Sequence, residues 1–218
     1  DGAKDPLITD IILDKKRDVV ELTVIAPDHR RLLSTIAGCC AVSGANIVDA
    51  HIFTTADGLA LDTIFFSRGL GFDEDELRRA ERIAEMIVRA LRGEAVIADA
   101  VKARAKTHTP VAEFPVAPEV TVDNSLSNTY TVVEVSGLDR EGLLFDLTNA
   151  ISKLNLNIAS AHVTTFGERA VDAFYVTDLT GAKIVSPQRQ IAIKRQLLDV
   201  FEIRSLNPSK RQETTPAA

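Results

Sequence analysis

A chain that states one motif twice is constrained to fold as two similar units, and this chain repeats itself over most of its length. Asp28-His-Arg-Arg-Leu-Leu33 leads to Gly44-Ala-Asn-Ile-Val-Asp-Ala-His51, and 111 positions later Asp139-Arg-Glu-Gly-Leu-Leu144 leads to Asn155-Leu-Asn-Ile-Ala-Ser-Ala-His162. Asp28/Asp139, Leu33/Leu144, Asn46/Asn157, Ile47/Ile158, His51/His162 and Thr54/Thr165 are identical at that offset, and the flanking apolar pattern keeps step. Two like units create an interface, and interfaces between domains are a common place for small ligands.

With 218 residues and 45% apolar content, the chain can build two cores, each of roughly 70 to 90 residues. A net charge of −6 and a pI near 5.3 argue against nucleic-acid binding, which needs concentrated Lys and Arg to displace counterions. No tract of about 18 uninterrupted apolar residues and no signal-peptide pattern is present, so neither membrane spanning nor secretion is expected and the cytoplasm is the default location. Cys39 and Cys40 are adjacent and fall on the apolar stripe of a helix, where they read as core thiols. The chain begins at Asp1 rather than Met, which suits a piece of something longer.

Each unit reads strand, helix, strand, strand, helix. Val20, Leu22, Val24 and Ala26 share one face of a first strand, repeated by Val133 and Val135. Leu32, Ile36, Cys39 and Cys40 mark the first helix, as Leu143, Leu147, Ala150, Ile151 and Leu154 mark its counterpart. Second strands from about Ala45 and Leu156 are expected to set Val48/Ala50/Ile52 and Ala159/Ala161/Val163 on one face. Tight turns at 56–58 and 167–169 lead into third strands, and helices over 73–92 and from Pro187 to about Phe201 complete the units. The fold class is therefore α+β, with antiparallel sheets and the helices on one face. A fourth strand for the first unit is expected at 119–122, and for the second at 202–205, with Leu7 to Leu13 as a substitute. The boundaries are an N-terminal extension over 1–17, a first unit over 18–93, a helical then Pro-rich connector over 94–118, a second unit over 128–205 and a disordered tail over 206–218.

The strand ending in Asp-x-x-Gly-Leu-Leu, the helix, and the Asn-Ile opening the next strand resemble the ACT domain, a ferredoxin-like βαββαβ small-ligand module. The second unit, from Asp139 to Val176, is more specifically similar to the C-terminal ACT pair of the bifunctional uridylyltransferase/uridylyl-removing enzymes, and the match runs over about residues 19 to 203. That resemblance implies a region regulating a nucleotidyltransferase that attaches UMP to a PII protein and an HD domain that removes it, with Mg serving those missing catalytic domains. Glutamine is the implied ligand, and the catalytic domains and PII are the implied partners. Neither a Gly-Ser with paired aspartates nor an adjacent His-Asp dipeptide stands here, so no catalytic residue, metal ligand or cofactor is expected in this chain.

The candidate ligand-binding residues are Asp139, Arg140, Glu141, Gly142, Leu143, Asn157 and Ile158 in the second copy, and Asp28, Arg30, Arg31, Asn46 and Ile47 in the first. Gly142 permits a tight turn into a helix whose first N–H groups favour a carboxylate, and Asn157 supplies donor and acceptor to an amino-acid backbone or carboxamide. The plainer alternative is that Asp139 caps the helix and Asn157 tolerates a turn. Arg31 replaces Gly142 in the first copy, so a side chain is expected above that helix end, with Arg30 or Arg31 meeting an anion. His51 and His162 each lie one hairpin from Asp62 or Asp172; a cross-strand His–Asp contact on the helix-free face explains them as well as chemistry does. Outward apolar residues, with Phe53, Ile64 and Phe174 among them, are candidates for packing one unit on the other or for a homodimer. A free-standing ACT-repeat binding protein, and an enzyme using His162 and Asp172, remain as alternatives.

Overall fold

A computed structural model describes residues 7–69, 72–105 and 116–205. Its strands form one antiparallel eight-stranded sheet in the order β1-β2-β4-β3-β7-β8-β6-β5. The first half contributes β1 (Ile8–Asp14), β2 (Val19–Pro27), α1 (Leu32–Val42), β3 (Ile47–Thr54), β4 (Leu59–Ser67) and α2 (Asp73–Leu91). A connector helix α3 (Ile97–Ala105) follows, and the second half repeats the plan with β5 (Glu119–Asp123), β6 (Thr131–Leu138), α4 (Leu143–Lys153), β7 (Leu156–Phe166), β8 (Arg169–Asp178) and α5 (Pro187–Ser205). The helices form a single layer over one sheet face, and residues of every helix join inward strand residues in one apolar core.

The α+β class and the two ferredoxin-like units stand, but the source of each fourth strand differs from expectation. Residues 119–123 pair with β6 and so belong to the second unit. The N-terminal strand 8–14, read as part of an extension, pairs with β2 and completes the first. Residues 202–205 continue α5 rather than forming a strand. Each unit thus runs ββαββα, with its edge strand ahead of the rest. The physical reason is loop closure: β1 reaches β2 through a short hairpin, whereas a strand returning at 119 would close a much longer loop. Asp14 Oδ1 builds that turn by accepting N–H bonds from Lys16 and Arg17 at 2.9 and 3.0 Å, and Asp18 takes φ 55° to finish it. The proposed tail, 206–218, and the proline-bearing residues 106–115 lie outside the described residues.

A register shift also moves the inward face. Between Ile47 and Asp49, and again between Ile158 and Ser160, the ladder to the neighbouring strand slips by one residue. A bulge reverses side-chain alternation beyond it, so Ile47, Ala50 and Ile52 face the helices in place of Val48, Ala50 and Ile52. Ile64 and Phe174, expected on the outer face, are fully buried against the helices, while Phe53 is 64% exposed on the outside.

The two halves join edge to edge. β3 lies against β7 with His51 directly opposite His162, and above this seam α1 packs on α4. Gly38 of α1 makes the approach close: a Cβ there would stand 2.7 Å from Ile97 Cγ2 and 2.9 Å from Phe145 Cδ2. α3 lies in the same crowded region, with Val101 buried and Arg104 Nε donating to Glu141 Oε2 at 3.2 Å.

Candidate functional site

Two clefts flank the seam, and each takes its walls from both halves. The larger, about 520 Å³ including its open mouth, joins the loop Asp139 to Leu144 to Asn46 and Ile47 of the other unit. The smaller, about 350 Å³ on the same measure, joins Asp28, His29 and Arg30 to Asn157 and Ile158. The expected asparagines are therefore brought to the expected loops, but exchanged: Asn46 serves the second unit's loop and Asn157 the first's. Edge-to-edge pairing of β3 with β7 produces the exchange, because each asparagine opens a seam strand.

Gly142 is left-handed, at φ 78°, and stands at the N-cap of α4. A side chain there would be strained whatever the space above it. Arg31 occupies the matching N-cap of α1 at φ −105°, an ordinary value, and its side chain is exposed. The expectation that Arg31 fills the space above the helix fails, since the loop takes a different path: Arg30, not Arg31, lines the cleft, and Arg30 Nη1 donates to Asn155 Oδ1 at 3.1 Å. Neither helix carries a side-chain cap, which also removes the plain reading of Asp139. Its Oδ1 instead accepts the Arg140 N–H at 2.8 Å and its Oδ2 the Thr165 hydroxyl at 3.1 Å. Asp28 repeats the second contact with Thr54 at 3.2 Å. Arg140 is turned from the cleft's centre toward Asp146 Oδ2, at 2.8 Å, and the Val200 carbonyl, at 3.1 Å.

Each cleft ends on a second aspartate, one that reading by sequence assigned to a histidine. Asp62 stands opposite Val24 and Ile52, and Asp172 opposite Val135 and Val163, on the helix-facing side of the sheet. Asp62 is 0% and Asp172 2% exposed, and they line the smaller and larger clefts respectively. Both oxygens of Asp62 and Oδ1 of Asp172 have no hydrogen-bond partner. Burial, with the neighbouring Asp28 charge, pushes the Asp62 carboxyl up to about 7; burial, with Asp139 and against a hydrogen bond from the Thr164 backbone N–H, raises Asp172 to about 7 as well. Burial also raises Asp139, against the opposing bond from Thr165. The signal was available: Ala60, Asp62, Ile64 and Phe66 alternate as a core-facing strand, and Ala170, Asp172, Phe174 and Val176 match them.

The histidines stand on the other face. His51 lies opposite Thr63, and His162 opposite Ala173, so alternation separates them from Asp62 and Asp172. The expected His–Asp contact across the hairpin does not form, and an enzyme built on His162 with Asp172 has no common site. Instead the imidazoles meet each other edge to face at 5.8 Å, flanked by Phe65 at 5.3 Å and Tyr175 at 5.9 Å. His51 Nε2 also lies 3.3 Å from Asp49 Oδ2. Among the described residues no group of three His, Cys, Asp or Glu side chains is placed to hold a metal ion, and no helix is long and apolar enough to cross a membrane.

Residues 119–204 match the family model described as ACR9-like, ACT-like domain, and the first half repeats that arrangement of strands and helices. The second half is an ACT-like domain, paired with a first half of the same fold. Over 188 residues, 86% of its length, the pair is 61% identical to the bifunctional uridylyltransferase/uridylyl-removing enzyme of Nitrobacter hamburgensis. It is 59% identical over 197 residues, or 89% of its length, to the enzyme of the same name from Rhodopseudomonas palustris. The pair spans about a fifth of those relatives, 20% and 21% of their respective lengths.

Proposed function

We propose that the ACT pair senses an amino acid, glutamine, at the seam and thereby controls catalytic domains of a PII uridylyltransferase/uridylyl-removing enzyme. The observation that carries this reading is the exchange of walls: a ligand in either cleft touches both units at once, so its binding energy depends on how the units are set against each other. Only a ligand with different affinities for two arrangements can shift their balance, and a site shared across a seam has that property. The high identity to enzymes of that name supports the parent, its use of Mg, its PII substrate and its cytoplasmic setting as parts of the same proposal.

Within each cleft, the N-terminal turn of α4 or α1 suits the ligand's carboxylate, and Asn46 or Asn157 suits the carboxamide. The cleft at Gly142 is the stronger candidate, being larger and having Asp139 accept the Arg140 N–H in addition to the threonine bond that both loops share. Isothermal titration of the 218-residue chain with L-glutamine tests the reading, using Gly142→Arg and Arg31→Gly variants. Gly142→Arg should abolish most of the heat and Arg31→Gly should leave it; full heat from Gly142→Arg would refute the assignment of the working cleft.

A further inference from the structure

The two aspartates under the clefts do little visible structural work: neither oxygen of Asp62 has a hydrogen-bond partner, and Asp172 keeps one free oxygen while the Thr164 backbone N–H donates to its carboxylate. Each interrupts an otherwise apolar inward face, Ala60-Asp62-Ile64 in one copy and Ala170-Asp172-Phe174 in the other. They are 110 rather than 111 positions apart because the second hairpin is one residue shorter, yet the sheet returns them to equivalent places. Among the described residues neither makes an ion pair. Valine in either position would satisfy the strand and the core, whereas a buried carboxylate without a partner is costly, and its charge is tolerated only when something compensates it.

We propose that Asp62 and Asp172 are the cation-binding residues of the two clefts, each receiving the ammonium group of an amino-acid ligand. The proposal deepens the amino-acid reading above and rests on it. Three features converge. The carboxylates line the clefts and have free acceptor oxygens. Each stands near a second carboxylate, Asp28 or Asp139, whose own oxygen is already steadied by a threonine hydroxyl. An ammonium has three donors and no acceptor, so two neighbouring carboxylates match it in both hydrogen bonding and charge, where neutral acceptors would match the hydrogen bonding alone. The remaining charged groups at the walls are Arg30 with His29 in one cleft, and Arg140 with Glu141 in the other; Arg30 is directed to Asn155 and Arg140 to Asp146.

The same chemistry sets selectivity. A ligand lacking the amino group leaves a buried acid with nothing to receive, so the clefts should reject a des-amino analogue that keeps every other contact.

The test is calorimetry on the 218-residue chain with L-glutamine and with glutaramate, the same molecule without its α-amino group. Wild type should bind glutamine at least tenfold more tightly, and D62N/D172N should lose that preference. The single variants should each silence one cleft. D62V/D172V provides a second pair, apolar in the same register, and the thermal midpoint of each variant verifies folding. Undiminished glutamine binding in either folded double variant, or equal binding of glutaramate by wild type, overturns the proposal. If glutamine gives no heat with wild type, the glutamine reading fails, and the other common amino acids become the probes. A binder lost in D62N/D172N then sustains the proposal; a binder unaffected by it, or no binder among them, overturns it.

Discussion

Replacing Asp62 and Asp172 by asparagine should stabilise the protein in a pH-dependent way, whether or not a ligand is present. Burial raises both carboxyls from 3.8 to about 7, so between those values the folded state holds protons that the unfolded chain has released. The sign follows: their stabilising contribution is complete below about pH 4 and is lost as pH rises through 7. A displacement of roughly three units at about 1.4 kcal/mol per unit sets a ceiling near 4 kcal/mol for each carboxyl. Other groups act too. Burial lowers His29, which costs stability as pH falls below 6.5, while backbone and hydroxyl bonds lower Asp14, Asp123 and Asp178, whose contribution is lost only under more acid conditions. Subtracting variant from wild type removes these shared effects. Urea unfolding of wild type and D62N/D172N at pH 4, 6 and 8 should therefore give curves that nearly coincide at pH 4 and diverge by roughly 2 kcal/mol or more at pH 8, with the variant more stable. Parallel curves, or a gap that widens toward acid pH, would refute the reasoning.

Gly38→Ala should lower the thermal midpoint by a few degrees. The gain in helix propensity, about 1 kcal/mol, is outweighed by overpacking of about 1–3 kcal/mol where the new methyl meets Ile97 and Phe145; an unchanged or raised midpoint would show that the seam can relax. Cys39 and Cys40, pushed up to about 12 by burial, should resist a thiol reagent at pH 8 in the native protein and react fully in urea, as an absorbance assay would follow.

The duplication, the alternation of Val20, Leu22 and Val24, and the stripe of α4 were legible in the sequence because they are local periodicities. Pairing partners were not. Glu119 to Asp123 has the composition of an edge strand for either unit, and only the economy of a short hairpin assigns it to β6. The bulges at Ile47 and Ile158 carry no compositional mark, and they displaced the inferred face by one residue there. The aspartates were visible as charges on an inward alternation, yet the repeated histidines offered a nearer partner and drew them to the wrong face. The loop residues Asp139 to Leu143 were singled out by the repeated motif, its glycine and the ACT resemblance, and they line the larger cleft, but the exchange of Asn46 and Asn157 depends on which strands meet at the seam, a long-range choice.

The seam strands have one further consequence. Cut between the halves, either unit would be left with an unpaired β3 or β7 edge, a template for joining another copy. Such a half would be expected to pair with itself about a true two-fold axis, giving two identical clefts that every mutation alters together. Fusing the copies into one polypeptide breaks that bond between the sites. Arg30 and His29 can then line one cleft while Glu141 and Gly142 line the other, so the two clefts are free to diverge in shape and charge.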